Sequence, residues 1–299
     1  MSYRFEPGEK VERGVKRMAR EQIDKALAEI DSDELDVHER VHQVRKRCKK
    51  LRAIARLVRP PLGSQYSGIN RHYRDAARPL SDARDAHAII ESFDDVVEDR
   101  SDEIVDGSLD PVREAFVRRR ERVAPREEVE TRLFGARQAL TAGRAALDTW
   151  HVDEDGFDAV AGGVKKVVRR GRKAMGAATE KPTVENYHEW RKRAKYLWYH
   201  ARMLRPLWPE VMKAWRDEAD RLSDLLGDEH DGAVLRAILQ REPEMAEVEG
   251  MPLYLALLDR RSQELRARAR RLGARIHAEK PKRFVGRLED FDAADGVLA

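Results

Sequence analysis

The sequence predicts an all-α protein built from two similar helical halves, and three observations predict it. Apolar residues recur at spacings of three and four with no run of strict alternation, which is the helical period rather than the strand period. Glycine and proline fall mostly where helices would end. The third observation is a repeated stretch: His42-Gln-Val-Arg45-Lys46-Arg47-Cys-Lys49 returns 146 residues later as His188-Glu-Trp-Arg191-Lys192-Arg193-Ala-Lys195. Ten of the nineteen positions from His42 to Pro60 equal their partners, and the same offset carries Leu80-Ser-Asp82-Ala-Arg84-Asp85 onto Leu226-Gly-Asp228-Glu-His230-Asp231 without a gap. A period that long is not a solenoid repeat, so the repeating unit is a whole half-domain.

Taken in order, helices are expected near 8–30, 37–59, 66–80, 83–98 and 110–149, then near 156–176, 183–205, 209–226, 229–241 and 251–278. The first carries Gly14-Val15-Lys16-Arg17-x-x-Arg20, which resembles Gly163-Val164-Lys165-Lys166-x-x-Arg169 ahead of the second motif, so helix order repeats. The second helix ends at the Pro60-Pro61-Leu-Gly63 turn and its counterpart at Trp208-Pro209, because proline lacks an amide hydrogen and clashes with the preceding turn. The long charged helix near 110–149 is expected to link the halves. No flexible linker separates them, which implies a single domain over 1–299 with internal repeats at about 8–149 and 156–280. Residues after about 281 read as a ragged tail.

Charge is abundant but nearly balanced: 59 Lys and Arg against 55 Asp and Glu leave a net charge of only +4. Such a sum attracts a polyanion only if the signs are segregated in space. The single cysteine, Cys48, excludes an intramolecular disulfide and suits a reducing compartment. The opening MSYRFEPGEK has no apolar signal core, and no stretch approaches the roughly 18 apolar residues of a membrane span. A cytoplasmic protein without a membrane partner is the expectation.

Segregation is visible on the motif helices. Val41, Val44, Cys48, Leu51, Ala55 and Val58 form an apolar seam, and one residue along, rotated by about 100°, run His42, Arg45, Lys49, Arg52, Arg56 and Arg59. In the second half the apolar seam is Tyr187, Trp190, Ala194, Leu197, Ala201 and Leu204. Its basic seam is His188, Arg191, Lys195, Trp198, Arg202 and Arg205, broken only at Trp198. A row of lysines and arginines is ordinarily a solvated face. Here the identities recur between halves whose other residues have diverged, and no carboxylate lies between His42 and Arg59. Uncompensated like charges cost a helix roughly 0.2–0.5 kcal/mol per i,i+4 pair, so an anionic ligand is the reason to keep them.

A linear array of cations suits a phosphate polymer better than one phosphate. Lys165, Arg169, Arg172 and Lys173 share a helical face ahead of the second motif, Lys16 and Arg20 hold matching places ahead of the first, and Arg74 with Arg78 follow it at i,i+4. In an up-and-down bundle these rows are neighbours of the motif helices and are expected to converge on them. Asp85 and Asp231 read as ion-pair partners that orient arginines.

His-x-x-Arg-Lys-x-x-Lys-x-Leu, followed some forty residues on by Leu-x-x-x-Arg/His-Asp, occurs twice in this helical chain and resembles the CHAD family, the conserved histidine alpha-helical domains. The resemblance covers about residues 8–280. It implies two pseudo-symmetric helical bundles around a basic central groove or channel, and binding of inorganic polyphosphate, often at polyphosphate granules. Carried over by position, the anion-binding residues it implies are His42, Arg45, Lys46 and Lys49 with Arg52, and His188, Arg191, Lys192 and Lys195. Trp198 departs from the family pattern, which usually has Arg there. His230 stands where the first repeat has Arg84, so the second half is expected to grip less tightly. No CYTH phosphatase unit accompanies the resemblance.

Catalytic and metal readings are weaker. His230-Asp231 aligns with Arg84-Asp85, and arginine does not ligate metal; no histidine has the spacing of a zinc site. Cys48 lies on the apolar seam and reads as a small buried residue. Gly162-Gly163 lacks the pattern of a phosphate loop and reads as a kink or turn. The tryptophans read as core. The function expected is non-catalytic binding of inorganic polyphosphate without a cofactor. A general polyanion or nucleic-acid binder is the alternative, since counterion release rewards any dense phosphate chain. A phosphoanhydride hydrolase, which would need clustered carboxylates for magnesium, comes third.

Overall fold

The computed structural model describes residues 3–298, and among these the chain is helical apart from one isolated parallel bridge between Glu9 and Leu298. Eleven α-helices follow in order among the described residues: α1 Val11–Ile30, α2 Val37–Leu57, α3 Gln65–Ala77, α4 Ser81–Asp99, α5 Asp110–Val123, α6 Arg126–Ala145, α7 Asp158–Glu180, α8 Val184–Met203, α9 Pro209–Arg241, α10 Met251–Ile276 and α11 Pro281–Asp295.

The apolar seams fix the two motif helices, α2 and α8. All six seam positions of each, from Val41 to Val58 and from Tyr187 to Leu204, are buried. Cys48 is among them, a buried free thiol that fills core. α2 packs against α1 and α3, with α6 closing that group; α8 packs between α7 and α9, with α11 on α7. A second, separate core joins α4 and α5 to the distal parts of α9 and α10, where the rings of Phe93, Phe116 and Tyr254 lie 5.0 to 5.9 Å apart. Helices from early in the chain thus pack directly on helices from late in it, and α2 itself touches α7 and α8.

Local chemistry sets where the motif helices begin. Asp36 caps α2 by accepting from the amides of His38 at 2.7 Å and Glu39 at 3.0 Å, and Thr183 caps α8 by accepting from Asn186 at 3.3 Å. Among the described α-helices these are the two with a side-chain N-cap bond, each contributing about 1 kcal/mol in typical cases. Gly163 lies inside α7, where a Cβ would sit 1.7 Å from the Leu57 carbonyl oxygen. Glycine is therefore required for α7 to cross the end of α2, and Gly162-Gly163 lie within a continuous helix and form no turn.

Three expectations about elements are corrected. The span 110–149 is two helices, because Pro125 stops α5 and starts α6. The spans 209–226 and 229–241 are one continuous helix, α9, in which Gly227 is buried. A helix-interior glycine costs about 1 kcal/mol, which the burial of Leu222, Leu225, Leu226 and Leu235 on either side outweighs. The stretch past 281 is not a ragged tail but α11: Phe284 and Leu288 are buried, Trp215 and Phe284 have ring centroids 4.5 Å apart, and Val297 accepts from the Gly8 amide at 2.9 Å.

Candidate anion-binding site

Four helices, α2, α4, α8 and α9, line a cavity of about 450 Å³ that is open to solvent on one side. With the apolar seam buried, the row one residue along is left at the side of each motif helix, and α2 and α8 turn those sides to one space. α2 contributes Arg45, Lys49 and Arg52; α8 contributes His188, Arg191, Lys192 and Lys195 with Tyr196 and Tyr199. α9 lines the far wall with Ser223, Gly227, His230 and three aspartates, Asp224, Asp228 and Asp231, and α4 adds Asp85.

Some of these cations are held by neutral acceptors. Arg45 donates to the Ala77 carbonyl at 3.1 Å and Ser81 Oγ at 2.6 Å. Arg52 donates to Asn70 Oδ1 at 3.2 Å, an oxygen that also accepts from Arg56 at 2.7 Å. Lys195 Nζ sits 4.0 Å from the Trp198 ring centroid and 3.9 Å from Asp220, and Lys192 pairs with Glu189 at 3.2 Å. The side chains of Arg191 and Lys49 have neither an ion pair nor a hydrogen bond with any described residue.

The protonation states follow from this crowding. Lys49 lies deep in the molecule but stays open to the solvent of the cavity; its protein surroundings and Arg191, Arg45 and Lys195 hold its ammonium below the usual lysine range. Burial, with Lys192 and Arg191 adding to it, pushes His188 down to about 4. Burial with Arg191 and His188 pushes His230 down to about 3. The two imidazoles are 4.2 Å apart, and Nδ1 of each is buried without a partner in the protein. Burial pushes Asp231 up to about 6 against the pull of Arg191, and raises Asp85 against that of Arg45. Neither carboxylate closes an ion pair, so they do not orient arginines as the sequence pattern implied: the arginines around them are anchored elsewhere or left free.

Of the residues expected at the site, Arg45, Lys49, Arg52, His188, Arg191, Lys192, Lys195 and His230 line the cavity. His42, Lys46 and Arg84 stand within electrostatic reach of it. Burial and Arg84 lower His42, Lys46 acts on Lys195, and Arg84 acts on Lys49 while pairing with Glu91 at 2.6 Å.

The outlying rows do not converge there. Lys16 pairs with Glu12 at 2.8 Å and Arg20 with Asp148 at 3.0 Å. Arg74 pairs with Asp75 at 2.9 Å, and Arg78 is exposed after α3. Lys165, Arg169 and Lys173 are exposed on α7, while Arg172 donates to the carbonyls of His277, Ala278 and Glu279 and so closes the end of α10. Arg202 lies 5.8 Å from the Tyr3 ring centroid and outside the lining.

The α7 residues that do approach the motif helices are the next pair along, Lys166 and Arg170. They cluster with Arg56, Arg59 and Arg193 around Tyr196. Their i,i+4 spacing is as visible as that of Lys165 and Arg169; the contact at Gly163 sets which pair borders the motif helices. Of the three α9 aspartates in the cavity wall, Asp228 and Asp231 recur from Asp82 and Asp85 in the repeat, whereas Asp224 has no such signal. Asp224 and Asp228 also line a neighbouring bowl of about 530 Å³.

An all-helical body with a cavity lined by six lysines and arginines, two of which, Lys49 and Arg191, have no partner among the described residues, defines a helical domain with a cationic cavity. The chain belongs to the CHAD domain family, which matches residues 17–240. A comparison with curated proteins found no match. CHAD domains are non-catalytic, so the protein is a binding module rather than an enzyme. Family membership supports polyphosphate binding in general terms. Among the described residues no three His, Cys, Asp or Glu side chains are grouped to hold a metal ion, and no helix is long and apolar enough to cross a membrane.

Proposed function

We propose that this chain binds inorganic polyphosphate in the cavity between α2, α4, α8 and α9, through Arg45, Lys49, Arg52, His188, Arg191, Lys192, Lys195 and His230, with His42, Lys46 and Arg84 at its margin. The two motif helices act as the two halves of one site, descended from an internal duplication. The observation that carries the reading is the contrast in pairing: exposed arginines such as Arg113, Arg137 and Arg144 have aspartate partners, whereas Arg191 and Lys49 have none. A cluster of unneutralised cations destabilises its own fold, and a dense chain of phosphates removes that cost. The site tethers polyphosphate without hydrolysing it, which suits association with polyphosphate granules.

Titrating the protein with polyphosphate over a series of salt concentrations tests this. The logarithm of affinity should fall steeply with that of salt, by roughly 0.7–0.9 per phosphate contact on the nucleic-acid scale. Binding that is absent, or nearly independent of salt, would contradict the reading.

A further inference from the structure

We propose that Asp85 and Asp231 accept a hydrogen bond from a proton-bearing phosphate oxygen, so that the cavity takes the end of a polyphosphate chain in preference to its interior units. The inference rests on the polyphosphate reading and says which part of the polymer the cavity holds.

Two unpaired carboxylates are out of place in an anion site. Glu229, which is buried on the same helix as Asp231, is neutralised by Arg266 at 2.5 Å, but neither Asp85 nor Asp231, both open to the cavity, has an ion pair or hydrogen bond with a described residue. Asp85 is faced by Arg45 and Lys49 from α2, Arg191 from α8, and Asp82 on its own helix. Asp231 is faced by Arg191 from α8, Arg84 and Asp85 from α4, and Asp228 on its own helix. An ionised carboxylate only accepts hydrogen bonds, so against a fully ionised phosphate it repels, and the two sit together favourably when they share a proton.

Polyphosphate offers that proton at its ends alone. An interior unit has a single strongly acidic oxygen and no P–OH at physiological pH. A terminal unit keeps a second, weakly acidic hydroxyl, comparable to a phosphate monoester, whose second ionisation lies near pH 6. Burial holds both carboxyls above the ordinary aspartate range, Asp231 up to about 6, close to that of the terminal hydroxyl.

The cavity walls agree with a chain that stops there. Asp224 and Asp228 separate the cavity from the neighbouring bowl, which is lined by six carboxylates and three arginines and repels a polyanion. On the side of Tyr196, only about 10 Å³ of free space remains among Arg56, Arg59 and Arg170.

The test uses one short polyphosphate prepared with free ends and with both terminal phosphates blocked as morpholidates, which carry neither P–OH nor N–H. Each is titrated at pH 6.5 into the wild-type chain and into an Asp85→Asn/Asp231→Asn double variant. The wild type should bind the free-ended polymer roughly 10-fold more tightly, equivalent to about 1.4 kcal/mol, the scale of one charge-assisted hydrogen bond. In the double variant, whose amides bring donors of their own, the ratio should approach one. Equal affinity of the wild type for both polymers overturns the proposal without any variant. A ratio that persists in the folded double variant marks mere loss of terminal charge and overturns it too. Orthophosphate, which also carries P–OH, should compete poorly for lack of neighbouring units; full displacement by orthophosphate at matched concentration would put a small phosphate in the cavity in place of a chain end. Failure of the wild type to bind either polymer is a different result, and sinks the polyphosphate reading itself.

Discussion

α2 and α8 carry one motif and differ in what neutralises it. On α2 no carboxylate stands between His42 and Arg59, Arg45 is held by a carbonyl and a hydroxyl, and Lys49 has no partner in the protein. On α8, Glu189 pairs with both Lys192 and Arg193, Asp220 lies 3.9 Å from Lys195, and Trp198 replaces a rung and receives the same lysine on its ring. The motif thus fixes where the cations stand, while neighbouring helices decide how much of their charge remains available. By that measure α2 is the stronger half of the site.

The largest effect should come from removing the convergent cations of both helices. Replacing Arg45, Lys49, Arg191 and Lys195 by Gln keeps good helix formers. Hydrogen bonds to charged groups contribute roughly 1.5–3 kcal/mol each, so polyphosphate affinity should fall by at least about 100-fold. Gln at Arg113, Arg118, Arg137 and Arg144, which sit in exposed ion pairs, removes the same charge. That set should cost only a few-fold, because exposed charges beyond about 8 Å are screened at physiological salt. Equal losses in a binding titration would reduce the site to net charge.

The next effect separates the two halves. Lys49→Gln should weaken binding by about 10-fold and Lys195→Gln distinctly less, since Asp220 and Asp224 already offset Lys195. Lys49→Gln should also raise the melting midpoint of the unliganded protein: the fold holds this ammonium below its usual range, so the charged form destabilises the native state. A variant that loses both affinity and stability would contradict an uncompensated Lys49.

Much of this comparison was legible in the sequence, and the reasons for the rest are physical. The apolar seams gave the buried faces of α2 and α8 because burial follows periodicity alone, and the basic seams follow by rotation. Which outer rows join them depends on how neighbouring helices are rotated. That rotation is set by contacts such as Gly163 on Leu57, and it brings Lys166 and Arg170 beside the motif helices in place of Lys165 and Arg169. Arg172 looked like one more cation in a row, but it closes the end of α10. The aspartates of α9 in the cavity wall, Asp224, Asp228 and Asp231, share one face at a 4-3 spacing, but that face turns to the cations only through the packing of α9 on α8. The α11 pattern of Phe284, Leu288 and Phe291 was readable at helical spacing, but its burial depended on partners such as Trp208 and Trp215, distant in sequence.

A smaller effect tests the cavity as a whole through pH. His188, near 4, and His230, near 3, are neutral at pH 7 in the unliganded cavity, Asp231 near 6 is mostly ionised, and Lys49 is below its usual range. A bound polyanion favours the protonated form of all four, so binding takes up protons and affinity should rise several-fold as pH falls from 8 to 6. Calorimetry in buffers of different ionisation enthalpy would register that uptake. Affinity that is flat or rises with pH would contradict it.

The smallest effect lies at the helix starts. Asp36→Ala removes an acceptor of two amides and Thr183→Ala an acceptor of one, so chemical denaturation should show a loss of about 1 kcal/mol or more for the first and less for the second. A reversed order would mean that these caps do not set the stability of the motif helices.

The central claim is that a cavity between four helices, with Lys49 and Arg191 unpaired in its lining, holds a slim phosphate chain, and that a broad basic surface does not. Labelled polyphosphate bound to the protein, challenged with duplex DNA at matched phosphate concentration and physiological salt, tests it most directly. The polyphosphate should remain bound, because a duplex cannot enter a cavity of about 450 Å³. Displacement by DNA at parity of phosphate would contradict the claim and make the repeated motif an open polyanion-binding face.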